Sequence, residues 1–344
     1  MSTPLATVEP ADSEAPPLNA RFVNRRTTVW LVAAAAIVGV AVWRAPINWG
    51  DAWNRIVHAN PTLYLAALAI YWFSFVIRGY RWHVLLKNAG EDQPTRPLTM
   101  IVVTSFFVNC VVPAKMGDVY RAYLARMKLG VSAAKALGTI IAERLIDLCV
   151  LMVLLIASGA VVFWHKAPQA LVPYVIAGTA VCIAGVGVIL AMRAGRGQRL
   201  LRLLPEAIFH RYESFRIGTV HSMGRFPTLG VLTVMVWACE AARLGFVVSA
   251  LGYGNLLGIS QFLLIALVAA LLTTIPFLPG GLGLVEAGMV GVLIAVGGVG
   301  REAAVSIALL DRSISYGSVV VFGFIVFLLI HVRHARPVPA TAPG

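Results

Sequence analysis

Charged residues are scarce in this 344-residue chain: they make up 12% of it, whereas hydrophobic residues make up 59%. Soluble domains carry about 25% charged residues, so this composition excludes an ordinary soluble fold. Cysteine is scarce too. The four cysteines lie in apolar segments without Cys-x-x-Cys or metal-ligand spacing. We therefore expect them to be packing residues, and we expect no metal, no other cofactor and no catalytic residue.

Acidic residues are outnumbered by basic ones, 15 against 28, which gives a formal net charge of +13. The basic residues crowd beside apolar segments, which is typical of cytoplasmic loops that face anionic lipid head groups. Nucleic acid is therefore not an expected partner. An alternating ten-residue pattern is also missing, which excludes a membrane β-barrel.

Long apolar runs are what the chain does have. Each matches the ~20 residues that a helix needs to cross a bilayer. Six of them cover residues 28–45, 62–79, 138–163, 171–192, 227–251 and 304–331. Two more apolar segments, 98–129 and 259–297, are interrupted. The fold class predicted is all-α and polytopic, with six transmembrane helices and two re-entrant helical hairpins.

The expected domain organisation is simple. Residues 1–20, rich in Pro, Ala and acidic side chains, predict a disordered cytoplasmic N-terminus. A single helical membrane domain follows over 21–333, and 334–344 is expected to be a disordered tail.

The interruptions are proline-glycine segments that each carry a carboxylate, and we call them knots. The first runs from Val111 to Asp118 and the second from Pro276 to Glu286. Irregular backbone at membrane depth is tolerated only where protein buries it or where it lines a wet cavity. Matched interruptions in two halves are the best pointer to a transporter's substrate site.

Charge predicts the topology. Arg21, Arg25 and Arg26 place the N-terminus in the cytoplasm, and basic residues flank segment 98–112 on both sides. A complete crossing would break the positive-inside rule, whereas a hairpin that enters and leaves from the cytoplasm obeys it. Eight complete crossings remain the alternative. Both termini are then cytoplasmic, and the expected location is the inner (plasma) membrane.

An internal repeat supports the hairpins. The half-repeats are 98–163 and 259–331, and one constant shift along the sequence superposes their landmarks without a gap. It places Asp118 on Glu286, Gly130 on Gly298, and Glu143-Arg144 on Asp311-Arg312. With hairpins the repeat is inverted, as in many secondary transporters.

Inserting a charged side chain near the bilayer centre costs about 2.5–3.5 kcal/mol of free energy. Charges within the spans are therefore paired or functional. Glu240 lies in the middle of the fifth span, with Arg243 one turn later on the same face. We expect this pair to couple or brace the two halves. The alternative is a self-neutralising pair that only fixes helix packing.

Two further clusters lie early in the third and sixth spans. Glu143 and Asp147 share one helix face, where they repel unless a cation or proton intervenes, and Arg144 points elsewhere. Asp118 or Glu286 would suit Arg144 as a partner. The sixth span repeats the arrangement with Asp311, Arg312 and, one turn below, Tyr316. A buried ion-pair network that merely holds helices together is the alternative.

The first knot offers cations for a phosphate. Lys115, Asp118 and Arg121 lie at or just after it, and Arg with Lys suits a phosphate group. Ordinary positive-inside flanking is the alternative for Lys115. Arg78 and Arg81 rank second, because they could be snorkelling interface residues.

The second knot offers backbone groups. Gly280, Gly281 and Gly283 are flexible enough to expose N–H groups at the start of the next helix, which favours an anionic head group. Glu286 would cap that site or carry a proton. Tryptophans near span ends are expected to be interfacial anchors: Trp30, Trp43, Trp72, Trp82 and Trp164.

In these motifs the chain resembles the lysylphosphatidylglycerol synthase transmembrane-region family, also called flippase-like integral membrane proteins. The motifs are Pro113–Asp118 with Arg121, Glu143-Arg144 with Asp147, Pro279–Gly283 with Glu286, and Asp311-Arg312 with Tyr316. The resemblance implies translocation of lipids between leaflets. Bifunctional members add a soluble aminoacyl-transferase domain after this region; this chain stops at Gly344, so no synthase activity is carried over.

We therefore predict a lipid translocase for an amphiphile with a charged or phosphate-bearing head group, and not an enzyme. Lys115, Arg121, Arg144 and Arg312 would engage the head group, while the carboxylates exchange partners. Two rivals stay open: a scaffold that docks a lipid- or glycan-modifying enzyme, and an intramembrane enzyme using paired carboxylates. Small residues along the spans also permit a homo-oligomer.

Overall fold

Helices account for nearly all of the part of the chain that the computed structural model describes, residues 48–112, 115–164, 172–195, 205–274 and 279–332. Within these ranges there is no β-strand, so the all-α prediction is confirmed. The predicted first span, 28–45, and both predicted tails lie outside the described residues. The described residues from Asn48 onward belong to one compact unit.

The helices are numbered here in chain order over the described ranges. They are α1 Trp49–Val57, α2 Pro61–Asn88, α3 Thr95–Val111, α4 Met116–Leu129, α5 Ala133–Val162, α6 Val172–Arg193, α7 Glu206–Val220, α8 Phe226–Ala250, α9 Ile259–Thr273, α10 Leu284–Gly297, α11 Arg301–Arg312 and α12 Val319–Val332. Short 3-10 turns cover His221–Arg225, Gly254–Leu256 and Pro279–Gly281, and a π-helix covers Ser313–Ser318.

Five of the six predicted spans appear as helices α2, α5, α6, α8 and α11–α12. The predicted boundary at residue 79 is wrong, because α2 continues to Asn88. Its start is well defined: Pro61 stands at the first helical position, and the Asn60 side chain accepts from the backbone N–H groups of Thr62 and Leu63. Among the described residues six helical stretches are long and apolar enough to span a bilayer, and Pro279–Gly297 is one of them.

Both interrupted segments form pairs of short helices that pack against each other. Helix α3 packs on α4, and α9 packs on α10. These helices have 17, 14, 15 and 14 residues respectively, fewer than the long spans, although α10 counted with the 3-10 turn before it reaches 19 residues. The first pair is very close, because a Cβ on Gly117 would overlap the carbonyl oxygen of Ser105.

The repeat is visible in the backbone as well as in the sequence. The shift that places Asp118 on Glu286 also superposes both ends of α4 on those of α10, and the start of α5 on that of α11. Gly130 and Gly298 end the two hairpin helices in the same left-handed conformation. The next residues close the same turn, since each donates its backbone N–H to the carbonyl six positions earlier, at 3.3 and 3.4 Å.

The halves pack with the same symmetry. Helix α2 packs along α8; beside them, α3 contacts α2 and α9 contacts α8. The first hairpin helix of each half also packs against the other half, since α3 contacts α12 and α9 contacts α5. This exchange interleaves the two halves. Outside the repeat, α6 and α7 flank α5, and α1 packs on α11.

Candidate functional site

Two equivalent ion pairs lie directly after the knots. Arg144 donates to both oxygens of Asp118, through Nε at 3.0 Å and Nη2 at 2.7 Å. Arg312 donates from Nε to Glu286 at 2.7 Å. Partners in both pairs are 26 residues apart, so the repeat superposes one pair on the other. The predicted partner of Arg144 was Asp118 or Glu286, and the structure selects Asp118.

A second layer of charge is buried behind the first pair. Arg81 of α2 donates to Glu143 at 2.7 Å and also binds Asp147. Arg121 of α4 binds the other Glu143 oxygen at 2.9 Å. A cation therefore separates the two stacked carboxylates of α5, as their spacing predicted. Arg81 and Arg121 are 1% and 0% exposed, so neither guanidinium can satisfy its charge with bulk solvent.

The ring beneath Arg121 belongs to Trp82, which is fully buried. The guanidinium carbon lies 3.9 Å from the ring centroid, a close cation–π contact, and the indole N–H donates to Thr139. The prediction that Trp82 anchors the protein at the membrane interface is therefore wrong. Because α2 extends past the predicted end of its span, this side chain points into the bundle.

The third cluster joins the two halves at the α2–α8 contact. Glu240 accepts from Arg78 at 2.8 Å and from Arg243 at 3.1 Å. Arg243 also binds Asp311 of α11. Glu240 and Arg243 therefore pair with each other, as the alternative predicts, and each also binds a side chain on another helix. The bracing role predicted for them is consistent with these contacts.

Arg78 and Arg81 were ranked as second candidates because they could have been snorkelling residues, and that alternative is wrong. They are 8% and 1% exposed and bind carboxylates on other helices. Two arginines at a spacing of three on one apolar helix were the signal that marked a buried charged face. The paired helix α8 carries the same spacing of charges, Glu240 and Arg243.

The second knot comes close to the end of the first hairpin helix. Tyr316 donates to the carbonyl of Cys110 at 3.1 Å, and Arg312 donates to the carbonyl of Gly280 at 2.7 Å. The Tyr316 ring also lies under Arg312, 5.2 Å from the guanidinium carbon. A Cβ on Gly280 would fall 2.6 Å from that ring, so only glycine fits here.

Gly281 is buried beside α9 and α10. Its φ of 70° is left-handed, and a Cβ would lie 2.7 Å from Val285. Gly280, with a φ of 56°, uses its carbonyl to hold Arg312. The glycines therefore serve the close approach of backbone to Arg312 and Tyr316. The predicted role of their N–H groups toward an anionic head group stays a prediction.

Lys115 is the residue that the first knot places most unusually. It is the residue before α4 and takes a left-handed conformation with a φ of 52°, uncommon outside glycine. Within the described ranges no carboxylate forms a salt bridge with its ammonium group. Two other residues near the knots also have buried side-chain atoms without a hydrogen-bond partner. These atoms are Oε2 of Glu286, at the end of the second knot, and Nε and Nη1 of Arg121, just after the first knot.

Taken together, the clusters contain as many cations as anions. The cations are Arg78, Arg81, Arg121, Arg144, Arg243 and Arg312; the anions are Asp118, Glu143, Asp147, Glu240, Glu286 and Asp311. Breaking a buried pair leaves an uncompensated charge, whereas a ligand that carries charge can replace a partner. In the described ranges no group of His, Cys, Asp or Glu is placed to hold a metal ion.

These features define an all-α, multi-pass integral membrane protein with a duplicated, charged centre. The chain belongs to the lysylphosphatidylglycerol synthase transmembrane-region family, whose model matches residues 30–323. The resemblance inferred from the knots and acid–arginine motifs is thereby confirmed.

Relatives with known sequences are similar over most of the chain. A UPF0104 membrane protein of Methanocaldococcus jannaschii is 30% identical over 65% of this chain and 94% of its own length. One from Methanothermobacter thermautotrophicus is 24% identical over 88% of this chain and 93% of its own. Glycosyltransferase AglD of Haloferax volcanii is 24% identical over 93% of this chain, but the match spans only 57% of AglD.

Proposed function

We propose that this protein moves an amphiphilic lipid with a charged or phosphate-bearing head group between the leaflets of the cell's inner membrane. The observation that carries this proposal is the pair of equivalent salt bridges, Asp118–Arg144 and Glu286–Arg312, one after each knot. Duplicated sites at interrupted helices are what a transporter built from inverted repeats needs.

The mechanism uses exchange of ionic partners. A phosphate group accepts bidentate hydrogen bonds from arginine as a carboxylate does, so it competes with Asp118 for Arg144. Lys115 and Arg121 add positive charge beside that site. Binding of the head group would release the carboxylate, and the acyl chains would stay in the surrounding lipid.

The arginines of the two pairs differ in solvent exposure. Such a difference fits a site that opens alternately to the two sides of the membrane. The Arg144 side chain is 38% exposed, whereas that of Arg312 is 10% exposed. We propose that this conformation admits a head group from the side of the first hairpin, which the charge pattern predicts to be cytoplasmic. In the opposite conformation Arg312 would open, and the free oxygen of Glu286 would take a proton or a cationic part of the substrate.

Translocation in this form needs no covalent step, so we propose that the chain is not an enzyme. Its partners would be membrane lipids, with anionic head groups at the basic cytoplasmic loops. We propose that both interrupted segments are re-entrant, which the short helices α3, α4 and α9 support, and that the termini are cytoplasmic, which the charge pattern supports.

The test is head-group-resolved lipid sidedness in cells that lack the protein, complemented with variants. We expect one lipid class to accumulate in the inner leaflet, and we expect wild type but not Asp118→Asn combined with Arg144→Gln to restore it. The matched control is Glu91→Gln with Lys135→Gln, which removes an ion pair of 2.6 Å between the α2–α3 connection and α5, outside the charged centre and outside residues 193–226. Each variant must first be shown to be folded and inserted.

Full complementation by the Asp118 and Arg144 double variant would contradict the proposal, as would an unchanged lipid distribution in cells without the protein. Transport by the purified protein in liposomes separates direct movement from an indirect effect. There, wild type should speed the appearance of a labelled phospholipid in the opposite leaflet, and the double variant should not.

The second candidate is a non-transporting partner of a lipid- or glycan-modifying enzyme. The similarity to Glycosyltransferase AglD favours it, because this chain matches only part of that protein. In that case the charged centre should tolerate neutral replacement. Changes in the basic segment 193–226, which contains α7, should instead abolish function.

A further inference from the structure

Helix α1 separates polar side chains from apolar ones. At 100° per residue, Trp53, Ile56 and Val57 fall on one face, while Asp51, Arg55 and His58 fall on the opposite one. The Trp53 and Val57 side chains are more than half exposed. A short helix with an exposed tryptophan face and an opposite polar, charged face is typical of a helix that lies in the membrane interface.

A polar cavity of about 650 Å³ lies on the basic side of α1. Arg55, His58, Asn54 and Asn60 line it, together with the end of α8 at residues 249–252. Arg55 also donates to the hydroxyl of Tyr253. The lining, all of it within described residues, includes no Asp or Glu. The cavity therefore offers one guanidinium, that of Arg55, which has donors left for an anion.

A second cavity, about 570 Å³ in volume, lies on the opposite, apolar side of the helix. Trp53, Ile56 and Val57 form one wall, and Leu309 and Leu310 of α11 form the other. Both volumes fall within the ~300–1,000 Å³ typical of ligand sites. Ala59 and Pro61 line both cavities, so the two cavities lie on either side of the segment that follows α1.

We infer that the two cavities form one binding site for an anionic phospholipid of the membrane. Its phosphate group binds in the polar cavity near Arg55, and one acyl chain lies in the apolar cavity against Trp53 and Leu309. The pairing of a polar cavity that contains Arg55 with an apolar cavity across one amphipathic helix matches the two ends of such a lipid. The site is separate from the charged centre, and none of its lining residues belongs to the ion-pair clusters.

The fold explains why the lipid would bind here. Helix α1 packs on α11, where Ser306 donates to the Ala52 carbonyl at 3.2 Å. The segment after α1 is joined to α8 too, since Asn60 donates its backbone N–H to the Ala250 carbonyl at 2.8 Å. A lipid in this site would therefore touch the start of α2, the end of α8 and the start of the sixth span. It would stabilise their arrangement on the side that the charge pattern predicts to be external.

The test places the photo-crosslinking amino acid p-benzoylphenylalanine at position 57, on the apolar wall. The full chain is embedded in nanodiscs that contain equal amounts of phosphatidylglycerol and phosphatidylcholine, and the lipid adducts are identified by mass spectrometry. One arginine near an anionic head group should favour phosphatidylglycerol adducts about fivefold. Arg55→Glu should bring the ratio to one or below. Arg301→Glu, on the exposed start of α11 and outside both cavities, should leave it unchanged.

Three results would overturn the inference. One is an equal yield of both lipids with the parent chain, and another is an unchanged preference in the Arg55→Glu variant. The third is a cross-link to residues 28–45 of this chain in place of lipid, which would assign the apolar cavity to a protein segment. Lipid transport does not enter the measurement, so its outcome is independent of the proposed function.

Discussion

The two halves of the repeat share their backbone and differ in their charges. Both have an ion pair after the knot and an arginine from the preceding long helix on the next carboxylate: Arg81 on Glu143, and Arg243 on Asp311. The first half adds Arg121 and Asp147. At the equivalent positions of the repeat, the second half has Met289 and Ser315.

The difference teaches which charges depend on each other. Exchanging Arg121 for Met289 and Asp147 for Ser315 removes one cation and one anion together, so the exchange leaves the net charge of the centre unchanged. A buried centre tolerates loss of a neutral pair far better than loss of one partner. What the halves keep in common, the pair after the knot and the bracing arginine, is therefore the minimum that both require.

A second difference concerns the backbone. The second half contains a π-helix over Ser313–Ser318, whereas the equivalent stretch of α5 is regular α-helix. Side chains from α2 hold this turn: Tyr71 donates to the Ser315 carbonyl at 3.0 Å and Trp72 to the Ser318 hydroxyl at 3.1 Å. π-Helical turns are common at functional sites. This one places Tyr316 between Arg312 and the first hairpin.

The largest loss of stability is expected on replacing Arg243, the arginine that braces the two halves. Arg243→Met leaves Asp311 without its guanidinium partner in a buried position, and we expect a loss of about 3–5 kcal/mol in the free energy of unfolding. Thermal or denaturant unfolding in detergent measures it. Arg301→Met, on an exposed arginine, serves as the control and should shift stability little. Equal stability of the two variants would contradict the assignment of Arg243 as a brace.

Adding one methyl group at Gly280 in the second knot should lower the free energy of unfolding by nearly as much. Gly280→Ala places a Cβ against the Tyr316 ring on a left-handed backbone, and we expect a loss of about 2–4 kcal/mol. Gly291→Ala in α10 is the matched control: nothing lies within 4 Å of its Cβ, so that variant should be neutral or slightly stabilised. Similar melting temperatures for both variants would show that the Gly280 contact is unimportant.

The first half can be given the residue types that the second half has at the equivalent positions, Met for Arg121 and Ser for Asp147. This exchange tests whether the two charges depend on each other. Arg121→Met and Asp147→Ser each leave one unbalanced buried charge, whereas the double variant restores the balance of charge in the centre as a whole. We expect the double variant to be more stable than the sum of the single losses predicts, with a coupling of about 1–2 kcal/mol. A double-mutant cycle on unfolding measures this value. Strict additivity would mean that the two sites are independent.

The smallest effects should come from conservative changes at the two equivalent pairs. Lysine cannot donate to both Asp118 oxygens as Arg144 does, so Arg144→Lys should cost about 0.5–1.5 kcal/mol. Arg312→Lys weakens the contacts with the Glu286 carboxylate and the Gly280 carbonyl, and it should cost a similar free energy. The transport assay with both variants then tests equivalence. Loss of transport in only one of them would show that the halves have different roles.

Much of the fold follows from periodicity and hydrophobicity. The α5, α6, α8 and α11–α12 spans, the broken segments and the internal repeat were predictable because membrane burial imposes long apolar runs and leaves few alternatives. The end of α2 was not. Arg78, Arg81 and Trp82 lower its hydropathy, so the pattern indicated an interface where the helix in fact continues into the bundle.

The candidate site divides in the same way. Composition, spacing and the repeat were enough to single out Asp118, Arg144, Glu286 and Arg312, because charge in an apolar span is too costly to be incidental. Their partners depended on tertiary structure. Helices distant in sequence bring Arg81 to Glu143 and Arg243 to Asp311, and sequence spacing carries no information on which faces meet. The amphipathic helix α1 and its two cavities likewise became visible only where α1, α8 and α11 converge.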